Sequence, residues 1–438
     1  DGTIRWHRVS DGSEVVAFFP HADRQRWIAW TPEGYYDASP GAEELIGYHL
    51  NHGRERAGEF VSAAQLRETF YQPALLARRL DADGDQRLAE VVARRGDVRQ
   101  ILAAGPRPQI ELLSPAATTS DGDYQLQVRV RQLGQGEHRL RLRIDEQEFA
   151  GRWQTQALTP GGIVVNPLHD LAPGLRRLSV ELVDGRGVAS PPLRVALQVK
   201  QPASTPPPRL HVFAVGVTRY RDQALAKGVA FAADDAKAVA AAFQRGGQGV
   251  YQPGVVRVLS DAEAASKEAI LAAGRKIADE VRAHDAFVLY LAGHGRTVEG
   301  DYYYVPAQVV FRNQEQFRND ALGGEALRAL LASIPASKLL VLLDTCSSGS
   351  FRLPGRAGLD DKAAIDRLQR ISGRALIAAA ADEKMALEGE GGHGVFTYAL
   401  LRALAGDAAS DPATGWISVT ALGEYIDRQV PAITQRKW

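Results

Sequence analysis

The 438 residues contain one cysteine, Cys346, and it stands where an apolar run ends: K-L-L-V-L-L-D-T leads straight into Cys346-Ser347-Ser348-Gly349. A second run, A-F-V-L-Y-L-A-G, leads into His294-Gly295. In an open α/β sheet, functional groups gather beyond the carboxyl ends of the strands, because the loops there share one rim. Parallel strands would therefore put His294 and Cys346 on the same rim although 52 positions separate them. A free thiol with a pKa near 8.5 is only a few per cent thiolate at neutral pH, so a neighbouring imidazole either raises that fraction or takes the proton during attack. Cys346 reads as a nucleophile and His294 as its proton partner. The backbone amides of Gly295 and Cys346 could hold the oxyanion of a tetrahedral intermediate, an effect worth about 2.7 to 4 kcal/mol per donor. Taken singly, the thiol would be a small buried hydrophobe and the histidine a solvated loop residue; the pairing of two strand ends reverses that.

The elements that position these residues follow from the apolar pattern. After about residue 210, Leu210–Val217, Val255–Leu259, Ala286–Ala292, Lys338–Asp344 and Ala375–Ala380 read as strands. Between and after them, Ala232–Phe243, Lys267–Arg282, Gly323–Ile334, Phe396–Leu404 and Val419–Gln429 read as helices. Near-continuous apolar strands alternating with such helices predict an α/β domain over 210–438, its mostly parallel central sheet flanked by helices. Asp344 lies two residues before Cys346, so strand periodicity puts it on the nucleophile's side.

The preceding chain has a different texture. Residues 1–104 open with two alternating runs around a Ser-Asp-Gly turn, resembling the closing strands of a WD-repeat blade or standing as an isolated hairpin. Trp27–Gly41 reads as a capping or linking segment, followed by helical text at Ala63–Phe70 and Pro73–Arg95. Residues 105–200 carry roughly seven short strands between Gly, Asp and Pro turns, predicting a β-sandwich that resembles immunoglobulin-like modules without the cysteine pair. Residues 201–209, Q-P-A-S-T-P-P-P-R, form a Pro-rich linker.

Composition narrows the functions. Lys plus Arg equals Asp plus Glu at 52 each, which gives no electrostatic footprint for nucleic acid or an anionic membrane. A single cysteine excludes an internal disulfide framework, a cysteine zinc site and an iron–sulfur cluster. No apolar stretch reaches the roughly 18 to 20 residues of a spanning helix. The chain opens on Asp1, as a processed product or a piece of something longer would. The compartment stays open, with the cytoplasm weakly favoured by the missing disulfides.

From Leu210 onward the text resembles the caspase-like cysteine peptidases, in particular the metacaspases and bacterial caspase-like proteins. Five ordered motifs carry the resemblance: F-A-V-G-V-T-R-Y, A-A-D-D-A-K-A-V, L-A-G-H-G, L-L-D-T-C-S-S-G and H-G-V-F-T-Y-A-L-L-R-A-L. Ala292 stands where the family has Ser before Gly-His, and Ser347 where it has His after Cys. The resemblance implies Cys346 as nucleophile, His294 as proton donor and acceptor, and a thioester acyl-enzyme. It also sets Asp235 at the second acidic position of a metacaspase specificity pocket. Two carboxylates beside the nucleophile select a cation, since a unit pair at 4 Å is worth about 4 kcal/mol at an effective dielectric of about 20. Cleavage after Arg or Lys is expected; the plainer roles are a helix cap for Asp235 and a structural acceptor for Asp344.

In this family the long connection Phe351–Arg374 can be cut, which makes Arg352, Arg356, Arg367 and Arg370 candidate self-cleavage sites, or simply residues of an exposed loop. No metal or other cofactor is required by the sequence; some metacaspases need calcium, but no calcium ligands map onto this chain. Asp81, Asp83 and Asp85 read as a turn, because Gly and Glu are missing from the later calcium-loop positions. His393 reads as a cap or surface residue, and His284-Asp285 falls at the opposite rim. The expected partners are protein substrates and a regulatory protein on the amino-terminal modules. The rival is a caspase-fold binding or scaffold protein with little or no proteolysis; an esterase-like hydrolase is disfavoured, because Cys346 is not in a G-x-C-x-G elbow.

Overall fold

A computed structural model describes residues 2–51, 54–55, 57–114, 118–119, 122–149, 153, 158–200, 206–225, 229–260, 265–298, 300–347, 364–365, 368–369, 375–379, 388–410 and 415–436. The first strands, β1 (Ile4–His7), β2 (Glu14–Pro20), β3 (Trp27–Trp30) and β4 (Tyr36–Ala38), form one antiparallel sheet in that order. Trp27–Gly41 was expected to cap or link, and instead supplies two of the four strands. Ile28 faces inward with no exposure, and a turn from Thr31 to Gly34 reverses the chain into β4. A second hairpin, β5 (Gly47–Leu50) and β6 (Glu59–Ser62), is followed by α1 (Arg67–Phe70), α2 (Pro73–Ala77), α3 (Gly84–Arg95) and α4 (Val98–Ala103). Tyr35, Tyr36, Leu66 and Phe70 centre their shared core. The helical stretch from Pro73 breaks at a turn holding Asp81 and Asp83. Arginines match the whole acidic run: Arg78 meets Asp81, Arg87 meets Asp83, and Arg79 and Arg8 meet Asp85.

The next module has two sheets. One runs β11 (Gln147–Phe149), β10 (Arg139–Ile144), β13 (Gly174–Val183), β14 (Leu193–Val199) and β8 (Thr118–Thr119); the other runs β12 (Ile163–Leu168), β9 (Tyr124–Gln132) and β7 (Gln109–Leu112). Alternate residues such as Leu126, Val128 and Val130 point into the core between them, as period-two patterning requires.

The last part of the chain is built on a seven-stranded sheet. Its parallel centre runs β16 (Gln252–Ser260), β15 (Arg209–Gly216), β17 (Ala286–Val298), β20 (Lys338–Ser347) and β21 (Ala375–Ala378). The short strands β18 (Asp301–Tyr304) and β19 (Leu322–Gly323) continue from the end of β17 in antiparallel pairing. Both faces are covered, which explains the continuous apolar strand text. Phe213, Val215, Leu289, Leu291, Val341 and Leu343 face the side packed by α6 (Lys267–Ala278), α7 (Gln314–Asp320) and α8 (Gly324–Ser333). Their alternates Val212, Ala214, Val288, Tyr290 and Leu342 face α5 (Ala232–Gly246), α9 (Val395–Arg402) and α10 (Val419–Arg436). Before α9 lies a hairpin of β22 (Glu388–Glu390) and β23 (His393–Gly394).

The modules touch at the rim where the parallel strands begin. A cleft of about 820 Å³ lies there between residues 144–149 and 167–172 of the two-sheet module and residues 275–283 and 332–337. Beside it, Arg328 of α8 forms an ion pair with Glu148 of β11. Asp285, at this same rim as expected, is fully buried and accepts hydrogen bonds from Arg209 and from His211 Nε2 at 3.1 Å. Burial alone would push its carboxyl up, but these bonds and the Arg282 N–H hold it below its ordinary range. No helix among the described residues is long and apolar enough to cross a membrane.

Candidate active site

Both strands that carry the predicted pair extend further than the sequence suggests. β17 reaches Val298 because β18 gives it a continuing partner, and β20 reaches Ser347 because its ladder with β17 persists to the end. His294 and Cys346 are direct Cα partners in that ladder, and Gly295 is the partner of Ser347. The histidine was expected just past the end of its strand; it is a residue of the strand itself, with 2% exposure. Gly295 likewise sits in the sheet, between Ser347 on one side and Tyr304 on the other.

Within β17 the regular alternation breaks at Gly293, whose φ is +133°. An added Cβ there would lie 2.6 Å from the Tyr220 hydroxyl. The His294 amide donates to that hydroxyl at 2.8 Å, and the two rings stand 5.0 Å apart at 37°. The Tyr304 hydroxyl donates to the Ala292 carbonyl at 3.0 Å, and the Val305 amide to the His294 carbonyl at 3.0 Å. The side chain has one further bond: Nε2 lies 2.7 Å from the Leu225 carbonyl oxygen. A carbonyl only accepts, so Nε2 carries the proton and Nδ1 of the neutral ring keeps its lone pair. Nδ1 is buried without a hydrogen-bond partner among the described residues. Burial holds the ring below the ordinary histidine pKa, opposed by the bond to Leu225.

The two predicted carboxylates converge on the start of α9. Asp235 is the fourth residue of α5, whose cap position is Phe231, so the cap role is excluded. Its Oδ2 accepts from the Gly394 amide at 3.0 Å and its Oδ1 lies 2.6 Å from His393 Nδ1. Asp344 Oδ2 accepts from the Thr397 hydroxyl at 2.5 Å and from Tyr290 at 3.1 Å. A Cβ on Gly394 would lie 3.2 Å from Asp235 Oδ2 and 3.6 Å from Asp344 Oδ2, so a side chain there would crowd the first and touch the second. Burial pushes the Asp235 carboxyl up, against the Gly394 amide and His393, which pull it down. It also lifts the Tyr290 hydroxyl far above its usual range, with the Asp344 charge adding to it, so that Tyr290 stays a donor.

His393 corrects the sequence reading. It is no isolated surface or cap residue but the hydrogen-bond partner of Asp235, half-buried at the hairpin end. Tyr220, the Leu225 carbonyl, Tyr290 and Thr397 also escaped that reading, although Tyr220 and Thr397 lie inside motifs it singled out. The candidates Arg352, Arg356, Arg367 and Arg370 lie outside the described residues. Among the described residues no group of three or more His, Cys, Asp or Glu gathers to hold a metal ion.

Comparison with curated proteins returns no match. Among solved structures, the Clostridium thermocellum CbhA fibronectin(III)-like modules share 17% identity over 22% of this chain and 47% of theirs, at a TM-score of 0.17. A putative beta-galactosidase from Bacteroides fragilis shares 11% over 61% of this chain and 38% of its own, at a TM-score of 0.18. This chain thus spans less than half the length of either, and likeness at that level says nothing of its architecture. The family comparison does bear on the site. The caspase-domain model matches residues 211–436, just over half of the chain, and that span holds both ladder partners and both converging carboxylates. With this match, the chain belongs to the caspase-domain family of cysteine peptidases.

Proposed function

We propose that this chain is a cysteine endopeptidase that cuts proteins after Arg or Lys, with Cys346 as nucleophile and His294 as its proton partner. The observation that carries the reading is the ladder register of His294 with Cys346, together with an imidazole whose Nε2 proton is committed to Leu225. Nδ1 is then the basic atom left to take the thiol proton, and the same atom returns it to the leaving amine. Attack of sulfur on the scissile carbonyl gives a tetrahedral oxyanion, received by the Gly295 and Cys346 amides. Its collapse expels the amine and leaves a thioester that water hydrolyses. Asp235 and Asp344, both within reach of Gly394, supply the negative charge that would hold a basic side chain. His393 occupies Asp235 at 2.6 Å, so the substrate's guanidinium or ammonium replaces an imidazole.

The organisation proposed around this domain is a hairpin like the tail of a WD repeat with a linking or capping segment over 1–104, an immunoglobulin-like sandwich over 105–200 and a linker over 201–209. Those modules would hold regulatory protein partners. Cleavage at Arg352, Arg356, Arg367 or Arg370 belongs to the same proposal. The test compares Arg-ended with Asp-ended fluorogenic peptides, using this chain and Cys346→Ala. Arg-ended peptides are expected to be cut faster, and only by the unaltered chain. Faster Asp cleavage would overturn the acidic pocket, and equal signal from both proteins would leave the binding-scaffold reading. The intact mass of the active enzyme reports self-cleavage directly.

A further inference from the structure

We propose that Tyr220 is the positioning residue of the proton partner, matched in shape to Gly293. The inference rests on the reading of His294 as that partner, and its own support is geometric. Tyr220 grips His294 twice: its hydroxyl takes the backbone amide at 2.8 Å, and its ring lies against the imidazole at 5.0 Å. Both residues are buried, at 7% and 2% exposure. The amide bond fixes the height of His294 along β17, and the ring contact restricts the imidazole plane, so Nε2 stays on the Leu225 carbonyl. Gly293 completes the fit. Its φ of +133° turns the backbone out of regular strand geometry immediately before His294, and the space a Cβ would fill is occupied by the Tyr220 oxygen. A phenol from the loop after β15 therefore sets the aim of a side chain on β17, 74 positions later.

Tyr220→Phe keeps the ring and removes the acceptor. The expected result is a fall in kcat of about tenfold with KM unchanged, the scale of one lost hydrogen bond expressed only in the reaction. Because Tyr220 and Gly293 share one space, Gly293→Ala and Tyr220→Phe should couple. The double variant should lose less than the product of the single losses, even though strain at Gly293 keeps it below the parent. A readout independent of turnover is NMR titration of the His294 imidazole, assigned with His294→Ala: in Tyr220→Phe its midpoint should move toward the ordinary histidine value. An unmoved titration with additive losses would overturn the role of Tyr220. A parent chain that cuts no substrate, while the His294 titration still moves in Tyr220→Phe, would instead overturn the peptidase reading and leave the positioning intact.

Discussion

Burial decides the proton chemistry of His294. The imidazole has 2% exposure, and loss of water disfavours its charged form, so its pKa lies below the ordinary 6.5. The sign follows from comparing the two states. Below about pH 6.5 the unfolded chain takes up a proton that the folded ring refuses, so stability at this site is kept above that pH and lost as pH falls. Activity follows the same direction. The acid limb of kcat/KM should have its midpoint below about pH 6.5, measured with an Arg-ended peptide from about pH 4 to about pH 8; a midpoint at or above 6.5 would mean that the limb is not set by a desolvated imidazole. At this scale the sequence was informative where a residue's position follows from its strand. The placement of Cys346, His294 and Asp344 at neighbouring strand ends could be read because strand ends and period two are local properties. Tyr220 and the Leu225 carbonyl could not, because their contacts depend on how the loop after β15 folds over β17.

The element that governs the proposed specificity is α9 with the hairpin before it. Gly394 starts the helix, and the two carboxylates close on its amino end, one through the Gly394 amide and the other through Thr397. Anions at a helix amino terminus are stabilised there, so Asp235 and Asp344 steady α9 besides the proposed task of holding a substrate cation. In that proposal His393 competes with the cation for Asp235. His393→Ala should lower KM for Arg-ended peptides about fivefold, the effect of removing a partly exposed competitor worth about 1 kcal/mol, with kcat unchanged. A raised KM would show that His393 helps to build the pocket instead. This pairing was not legible in the sequence because 158 positions separate its partners. The five parallel strands and the longer helices were legible, since both faces of the sheet are covered and the apolar text runs unbroken, whereas β18, β19, α7 and the β22–β23 hairpin, short and without such text, were not read. Strand ends were missed where pairing with β18, beyond any local signal, prolonged β17.

On the scale of the whole molecule, Arg328 joins the two-sheet module to the α/β domain. Its side chain and that of Glu148 are 7% and 10% exposed, and Glu325 holds the same guanidinium. Arg328→Ala takes the direct ion-pair partner from buried Glu148, on which Arg141 and Arg143 still act, and should cost about 1.5 to 3 kcal/mol in denaturant unfolding of the full chain. A loss under about 1 kcal/mol would mean that the apolar contacts alone hold the modules together. Replacing both partners with apolar residues of similar volume should be close to neutral, because desolvation offsets most of what a buried pair gains.

β17 has a mechanical consequence. It begins at Ala286, on the rim where the two-sheet module docks, passes through His294, and ends at a turn where Gly300 lies against Ala74 and Gln72, and Asp301 meets Arg95. The strand that carries His294 thus runs from the rim facing the two-sheet module to a turn held by a segment that precedes the caspase domain. A shift of the segment around Ala74 and Arg95 would meet the strand of His294 before that of Cys346, its ladder partner.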